Sequence, residues 1–260
     1  MSPQRLVCLT EETVETLYLM GEDARIVGVS GFVVRPPEAR RKPKVSTFTS
    51  AKIDEIIALK PDLVFTFSDI QADITANLIR AGLEVHAFNH RTVAGIFSMI
   101  KTVGALIDEP EKAENLSARL QSRIDRERKN SNTHKRRPRV YFEEWDEPMI
   151  SAIGWVSELI EIAGGENIFV DRAFEPAAKG RFVTSEEVVN AQPDIIIGSW
   201  CGKSFKKDQV AARPGWDQIP ALKTGEMHEI KSAIILQPGP AALSDGLDAL
   251  CEIIHGFNRP

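Results

Sequence analysis

The segment Glu143-Glu144-Trp145-Asp146-Glu147 sets one indole among four carboxylates. Side chains of these types can grip a small molecule: the ring supplies apolar area, and the acids orient polar or cationic edges. Similar mixtures follow other apolar runs. Thr10, Glu11 and Glu12 come after Leu6-Val7-Cys8-Leu9, and Phe32 and Arg35 lie just beyond Gly28-Val29-Ser30. Phe67, Ser68 and Asp69 close the run that starts at Leu63, and Ser199-Trp200-Cys201 closes the run that starts at Ile195. In open α/β sheets ligands bind outside the carboxyl ends of the strands. Glu11, Phe32, Phe67, Glu144, Trp145, Asp146, Trp200 and Cys201 are therefore the expected ligand contacts. Trp145 leads them because acids flank it on both sides. An acidic segment lining the site favours a cationic or metal-containing cargo.

No catalytic constellation accompanies these residues. The chain has no Gly-x-Ser-x-Gly elbow. No P-loop or Gly-x-Gly-x-x-Gly follows a strand. Cys201 and His228 are of nucleophile and base type, but nothing local couples them. No catalytic residue is expected, and the chain reads as a binder rather than an enzyme. Cys8, Cys201 and Cys251 form neither a disulfide framework nor a zinc motif. Of the histidines, His86 and His90 are four apart across a strand-end pattern, while His134, His228 and His255 stand alone, so no metal site is expected.

An internal repeat indicates what holds the strand ends. Asp54-Glu55-Ile56-Ile57-Ala58-Leu59-Lys60-Pro61-Asp62-Leu63-Val64-Phe65 is matched by Glu186-Glu187-Val188-Val189-Asn190-Ala191-Gln192-Pro193-Asp194-Ile195-Ile196-Ile197. Each copy reads as a short helix, a Pro-Asp break that the helix cannot easily cross, and a buried parallel strand. A second pair of segments, Glu15 to Gly21 and Glu158 to Gly164, reads as amphipathic helices stopped by glycine. Thr10 is the expected N-cap of the first, with Glu11 and Glu12 in its first turn.

Two such halves predict an α/β fold of two Rossmann-like lobes joined by a long rigid helix, with the ligand in a cleft between them. The expected limits are an N-terminal lobe over 1–92, a connecting helix and basic loop over 93–137, and a C-terminal lobe over 138–260. Within the connector, Pro110 opens a helix in which Leu116, Leu120 and Ile124 share one face. The basic run from Lys129 to Arg139 has no interleaved aromatic residue, and the chain carries a net charge of −5, so no nucleic-acid partner is expected. No stretch approaches the ~20 apolar residues of a membrane span. The N-terminus shows no signal-peptide pattern, which leads to the expectation of a cytoplasmic protein, with a periplasmic one as the alternative if a leader has been removed.

These segments resemble the class III (cluster A-II type) substrate-binding proteins of ABC transporters, the vitamin B12 and ferric-siderophore family. The resemblance rests on Gly28-Val29-Ser30, Arg35-Pro36-Pro37, Lys44-Val45-Ser46-Thr47-Phe48 and the run from Ile56 to Val64. It continues through Gly164-Gly165-Glu166-Asn167-Ile168-Phe169 and Val183-Thr184-Ser185-Glu186-Glu187-Val188. It implies a substrate-binding protein holding a corrinoid, ferric siderophore or other metal chelate, acting as a monomer with no built-in cofactor. It places cleft aromatics at Phe32, Phe48 and Phe67. It also implies docking to permease subunits through Asp54 and Glu186. The disulfide of B12-binding members would join Cys251 to the position of Ala163, so that bridge is absent. The alternative reading is a cytoplasmic sensor or enzyme that reuses the fold without a transporter.

Overall fold

The computed structural model describes residues 2–132 and 136–257. The chain divides into two compact units, one of residues 1–90 and 94–120, the other of residues 91–93 and 121–260.

The first unit is built on five parallel strands in the order β3-β2-β1-β4-β5. They are β1 (Leu6–Cys8), β2 (Ile26–Ser30), β3 (Lys44–Ser46), β4 (Leu63–Phe67) and β5 (Val85–Phe88). Helices α1 (Glu11–Leu19), α2 (Ile53–Ala58) and α3 (Ala72–Arg80) lie between them. Helix α4 (Val93–Leu106) and α5 (Pro110–Ser131) follow, and the boundary between the units falls within α5. Val7, Leu9, Val45, Ile56, Val64, Ile74 and Leu78 form one buried cluster of this unit. The expected helical stripe is present: Leu116, Leu120 and Ile124 are all buried.

The second unit contains β6 (Arg139–Asp146), β7 (Met149–Ser151), α6 (Gly154–Ile162), β8 (Glu166–Asn167), α7 (Ser185–Ala191) and β9 (Ile195–Gly198). Then come α8 (Lys207–Ala211), α9 (Pro220–Thr224), β10 (Met227–Glu229), α10 (Ser232–Ile235) and α11 (Leu247–Phe257). The sheet runs β10-β9-β6-β7, with β7 antiparallel to β6 and the short β8 parallel to it. Part of the basic run, Thr133-His134-Lys135, lies outside the described residues.

The repeat read in the sequence is a repeat of backbone geometry. Helices α2 and α7 end before Lys60 and Gln192, which take left-handed φ values of +48° and +45°. Proline follows each, and then an aspartate closes the unit. The Asp62 carboxylate accepts hydrogen bonds from the Gln4 and Arg5 amides at 2.7 and 2.8 Å. The Asp194 carboxylate accepts from the Arg139 amide at 2.9 Å and from the Arg136 guanidinium at 2.6 Å. In return the Asp62 amide donates to the Arg5 carbonyl and the Asp194 amide to the Arg139 carbonyl, each at 2.8 Å. Each aspartate thus sets the register of the central pair, Leu6 beside Leu63 in one sheet and Val140 beside Ile195 in the other.

The helix stops also repeat. Gly21 and Gly164 have φ of +75° and +92°. The next amide bonds back to Leu17 in one copy and to Ile160 in the other, the closure of a left-handed helix stop. One cap departs from expectation. The Thr10 hydroxyl donates to the Glu12 carboxylate and does not accept from the helix.

Replacing the buried Asp194 with alanine strands the Arg139 amide. Asp194→Ala should lower unfolding free energy by roughly 1.5–3 kcal/mol, read as a lower denaturant midpoint, with Asp194→Asn recovering part of the loss.

Candidate functional site

In the first unit the parallel order brings the carboxyl ends of β1 to β4 to one edge of the sheet. Glu11 lies three residues beyond β1, Phe32 and Phe48 lie two beyond β2 and β3, and Phe67 ends β4. Phe32 is 58 % exposed and Phe48 36 %, while Phe67 is buried, with its ring edge-on to His90 at 5.3 Å. Gln71, fully buried, binds three of these loops together. Its side chain donates to the carbonyls of Leu9 and Phe48 at 3.3 and 3.1 Å and accepts from the Phe67 amide at 3.0 Å. Nothing in the local sequence marks Gln71, since two of its three partners, Leu9 and Phe48, are distant in the chain.

Three buried glutamates sit beside this edge. Glu11 accepts from the Val34 amide at 2.7 Å, and Glu15 pairs with Arg35 at 3.2 Å. Among the described residues, Glu12 Oε2 has no hydrogen-bond partner. Burial pushes the Glu11 and Glu12 carboxyls up to about 7, with repulsion from Glu15 adding to the rise of Glu11 and repulsion from Glu11 to that of Glu12. The carboxyl nearest the loops is therefore held by backbone, not left bare for a cargo.

The second unit corrects the reading of its acidic segment. Glu143 is fully buried, its carboxylate held by both Arg213 nitrogens at 2.6 and 3.0 Å. The Tyr141 hydroxyl donates to it at 2.9 Å and the Trp200 indole at 3.0 Å. Glu144 is held by Arg181, whose guanidinium also donates to the Ser151 carbonyl. Asp146 pairs with Lys203 at 2.6 Å. Glu144 and Asp146 are thus neutralised by the protein's own cations and do not form a negative lining. Trp200 also departs from expectation. It is 3 % exposed, packed edge-on against Phe205 at 5.0 Å within the core, and offers no ring face to a ligand. Gly198 makes that packing possible, because a Cβ there would lie 1.9 Å from the Phe205 ring.

Trp145 remains half-buried near the end of β6. Its indole donates to the Glu147 carbonyl at 2.9 Å, and the Lys203 ammonium sits 4.0 Å from the ring centroid, a cation–π contact. Cys201 is exposed and reduced, while Cys8 and Cys251 are buried. His228 pairs with Glu226 at 2.8 Å. Phe174 and Phe182, which follow no long strand and carry no strand-end signal in the sequence, are 49 % and 42 % exposed. Asp54 and Glu186 occupy the second position of α2 and α7. Both are exposed, and among the described residues neither forms an ion pair. Glu187, next to Glu186, is instead consumed by a capping box with Thr184 and by Arg172.

Two α/β units, each presenting exposed phenylalanines and related by the Pro-Asp repeat, mark a small-molecule-binding protein. The chain belongs to the periplasmic binding protein family, whose pattern matches residues 6–234. It is 26 % identical to the vitamin B12-binding protein of Vibrio parahaemolyticus over 98 % of this chain and 91 % of that protein. It is 24 % identical to an uncharacterized ABC transporter substrate-binding lipoprotein of Bacillus subtilis, over 97 % of this chain and 80 % of that one. Its fold matches a periplasmic heme-binding protein from Pseudomonas aeruginosa with a TM-score of 0.83 and 20 % identity, covering 99 % of this chain and 95 % of that one. Among the described residues no helix is long and apolar enough to cross a membrane.

The raised carboxyls give a signed pH dependence. A native value near 7 against an ordinary 4.5 means that the folded protein holds more protons in between. Stability is then fully present below about 4.5 and falls as pH rises towards 7. Glu12→Gln should flatten that fall and raise the melting temperature at pH 8, measured by calorimetry from pH 4.5 to 8.

Proposed function

We propose that this chain is a substrate-binding protein for a metal chelate, a corrinoid or an iron chelate such as a ferric siderophore, which it presents to an ABC transporter. One observation carries the reading: four phenylalanine rings, Phe32, Phe48, Phe174 and Phe182, stand at least 36 % exposed. A bulky, partly apolar cargo would cover these rings. The relatives support the same class. One is a vitamin B12-binding protein, and a solved structure of the same fold binds heme.

The proposed contacts are Phe32 and Phe48 in the first unit, and Trp145, Phe174 and Phe182 in the second. Glu11 and Phe67 are buried at the same strand ends and are the inner members of the proposed first-unit set. Cys201 is exposed at the end of the segment after β9 and is retained as a peripheral contact. The Lys203–Asp146 pair beside Trp145 leaves the second surface without the bare acids that would select cationic edges. Binding without turnover fits an acidic segment whose Glu143, Glu144 and Asp146 are each held by a cation of the protein.

Asp54 and Glu186 support the transporter role. They are exposed, unpaired among the described residues, and equivalent in the two copies of the repeat. Two such carboxylates suit paired basic sockets on a two-fold membrane partner. The relative from Bacillus subtilis carries the transporter association in its name. A transporter role would place the chain outside the cytoplasmic membrane, which cell fractionation of the host checks.

Visible absorption and native mass spectrometry of protein from its own host should show a bound chelate that leaves chemically unchanged. Trp145→Ala and Phe32→Ala should each weaken binding at least about tenfold, or ~1.4 kcal/mol, in titration calorimetry with cobalamin, haemin and a ferric siderophore. Asp54→Lys with Glu186→Lys should leave that affinity intact and abolish stimulation of the transporter's ATPase. Absence of binding to all three chelates would remove the cargo class.

A further inference from the structure

The helices behind the second sheet hold a group of residues that ligand binding does not use. Cys251 and His255 are four apart on α11 and so share one face. Glu127 approaches them from α5. One ligand atom from each of the three lies within 4.8 Å of the other two. Glu127 and Cys251 are 8 % and 7 % exposed, and His255 is half-buried. Most acids along α5 face water, so a carboxylate turned inward onto a thiol and an imidazole is the exception that needs a reason.

We propose that Glu127, Cys251 and His255 form a binding site for a single zinc-like divalent cation, separate from the cargo surface. Thiolate, imidazole and carboxylate make a mixed sulfur, nitrogen and oxygen donor set. It suits zinc or cobalt and discriminates against calcium and magnesium. Tetrahedral zinc with bonds of ~2.0–2.3 Å sets its donors roughly 3.3–3.8 Å apart. The three atoms therefore need to close by about an ångström, within reach of side-chain rotation. Three protein ligands leave the fourth position to water. The charges balance: thiolate and carboxylate neutralise the dication, His255 is neutral, and the thiol proton passes to solvent.

The surroundings hold the donors in place. The Arg126 guanidinium donates to one Glu127 oxygen at 2.9 Å and the Asn130 amide to the other at 3.2 Å. One turn away, Arg123 grips Asp248 with both nitrogens, tying α5 to α11. Such outer contacts fix ligand orientation in metal sites. The nearest sequence signal is the Cys251-x-x-x-His255 spacing, which is common by chance, and the third donor lies more than a hundred residues earlier.

The test is cobalt(II) titration of the full chain, free of cargo. One equivalent should produce a near-ultraviolet sulfur-to-cobalt charge-transfer band with tetrahedral visible bands. Zinc should displace the cobalt, and magnesium should not. Cys251→Ser and His255→Gln should each abolish the thiolate band or weaken binding at least about tenfold, with circular dichroism reporting the fold. A band that persists in Cys251→Ser would belong to Cys8 or Cys201 and overturn the proposal, as would no band in the unaltered chain. Should either variant fail to fold, the unaltered chain still decides. Zinc must slow iodoacetamide modification of Cys251, followed by peptide mass spectrometry, and an unchanged rate overturns the site.

Discussion

Two aspartate carboxylates, one in each unit, fasten the start of a first strand to the start of its neighbour. Everything that bears on the strand ends depends on this contact. A parallel pair has no tight turn to fix its register, and a slip by one residue would exchange core and solvent faces. Asp62 and Asp194 supply the missing constraint from outside the ladder. Proline makes the clasp possible, because it ends the preceding helix where the aspartate must turn back. The cost is visible in Lys60 and Gln192, two side-chain-bearing residues held in the left-handed region.

The fold was legible because its determinants are local. Pro61 and Pro193, the glycines after α1 and α6, and the apolar triplets each act within a few residues, and each did in the structure what its type requires. Pro110 begins its helix as read. The site was less legible because its chemistry is decided by partners far away in sequence. Nothing near Glu143 announces Arg213, seventy positions later, and nothing near Glu144 announces Arg181. An acidic run is read as solvated or ligand-facing until those cations are found. Trp200 misleads for a related reason. A tryptophan beyond a strand end looks accessible until Gly198 admits Phe205 beside it.

The two units solve the problem of buried acids differently. In the second, each of three carboxylates meets a guanidinium or ammonium, so the charge is kept and compensated. In the first, Glu11 and Glu12 lean on a backbone amide and a hydroxyl and are raised towards neutrality. Removing one partner has unequal consequences. An orphaned Arg213 would be a half-buried cation with no counter-charge, whereas a neutralised Glu12 is close to the state the fold already prefers.

The clasps also bear on how the chain assembles as it is made. Arg5 and Asp62 are 57 residues apart, and Arg139 and Asp194 are 55. Each closure spans a loop of nearly the same length and carries nearly the same entropic cost. Neither needs the other half of the chain. The first clasp can form as soon as Asp62 has left the ribosome, while the second unit is still untranslated. Vectorial synthesis therefore meets two similar nucleation problems in succession, and the N-terminal sheet can be registered before the C-terminal strands exist to compete for its edges.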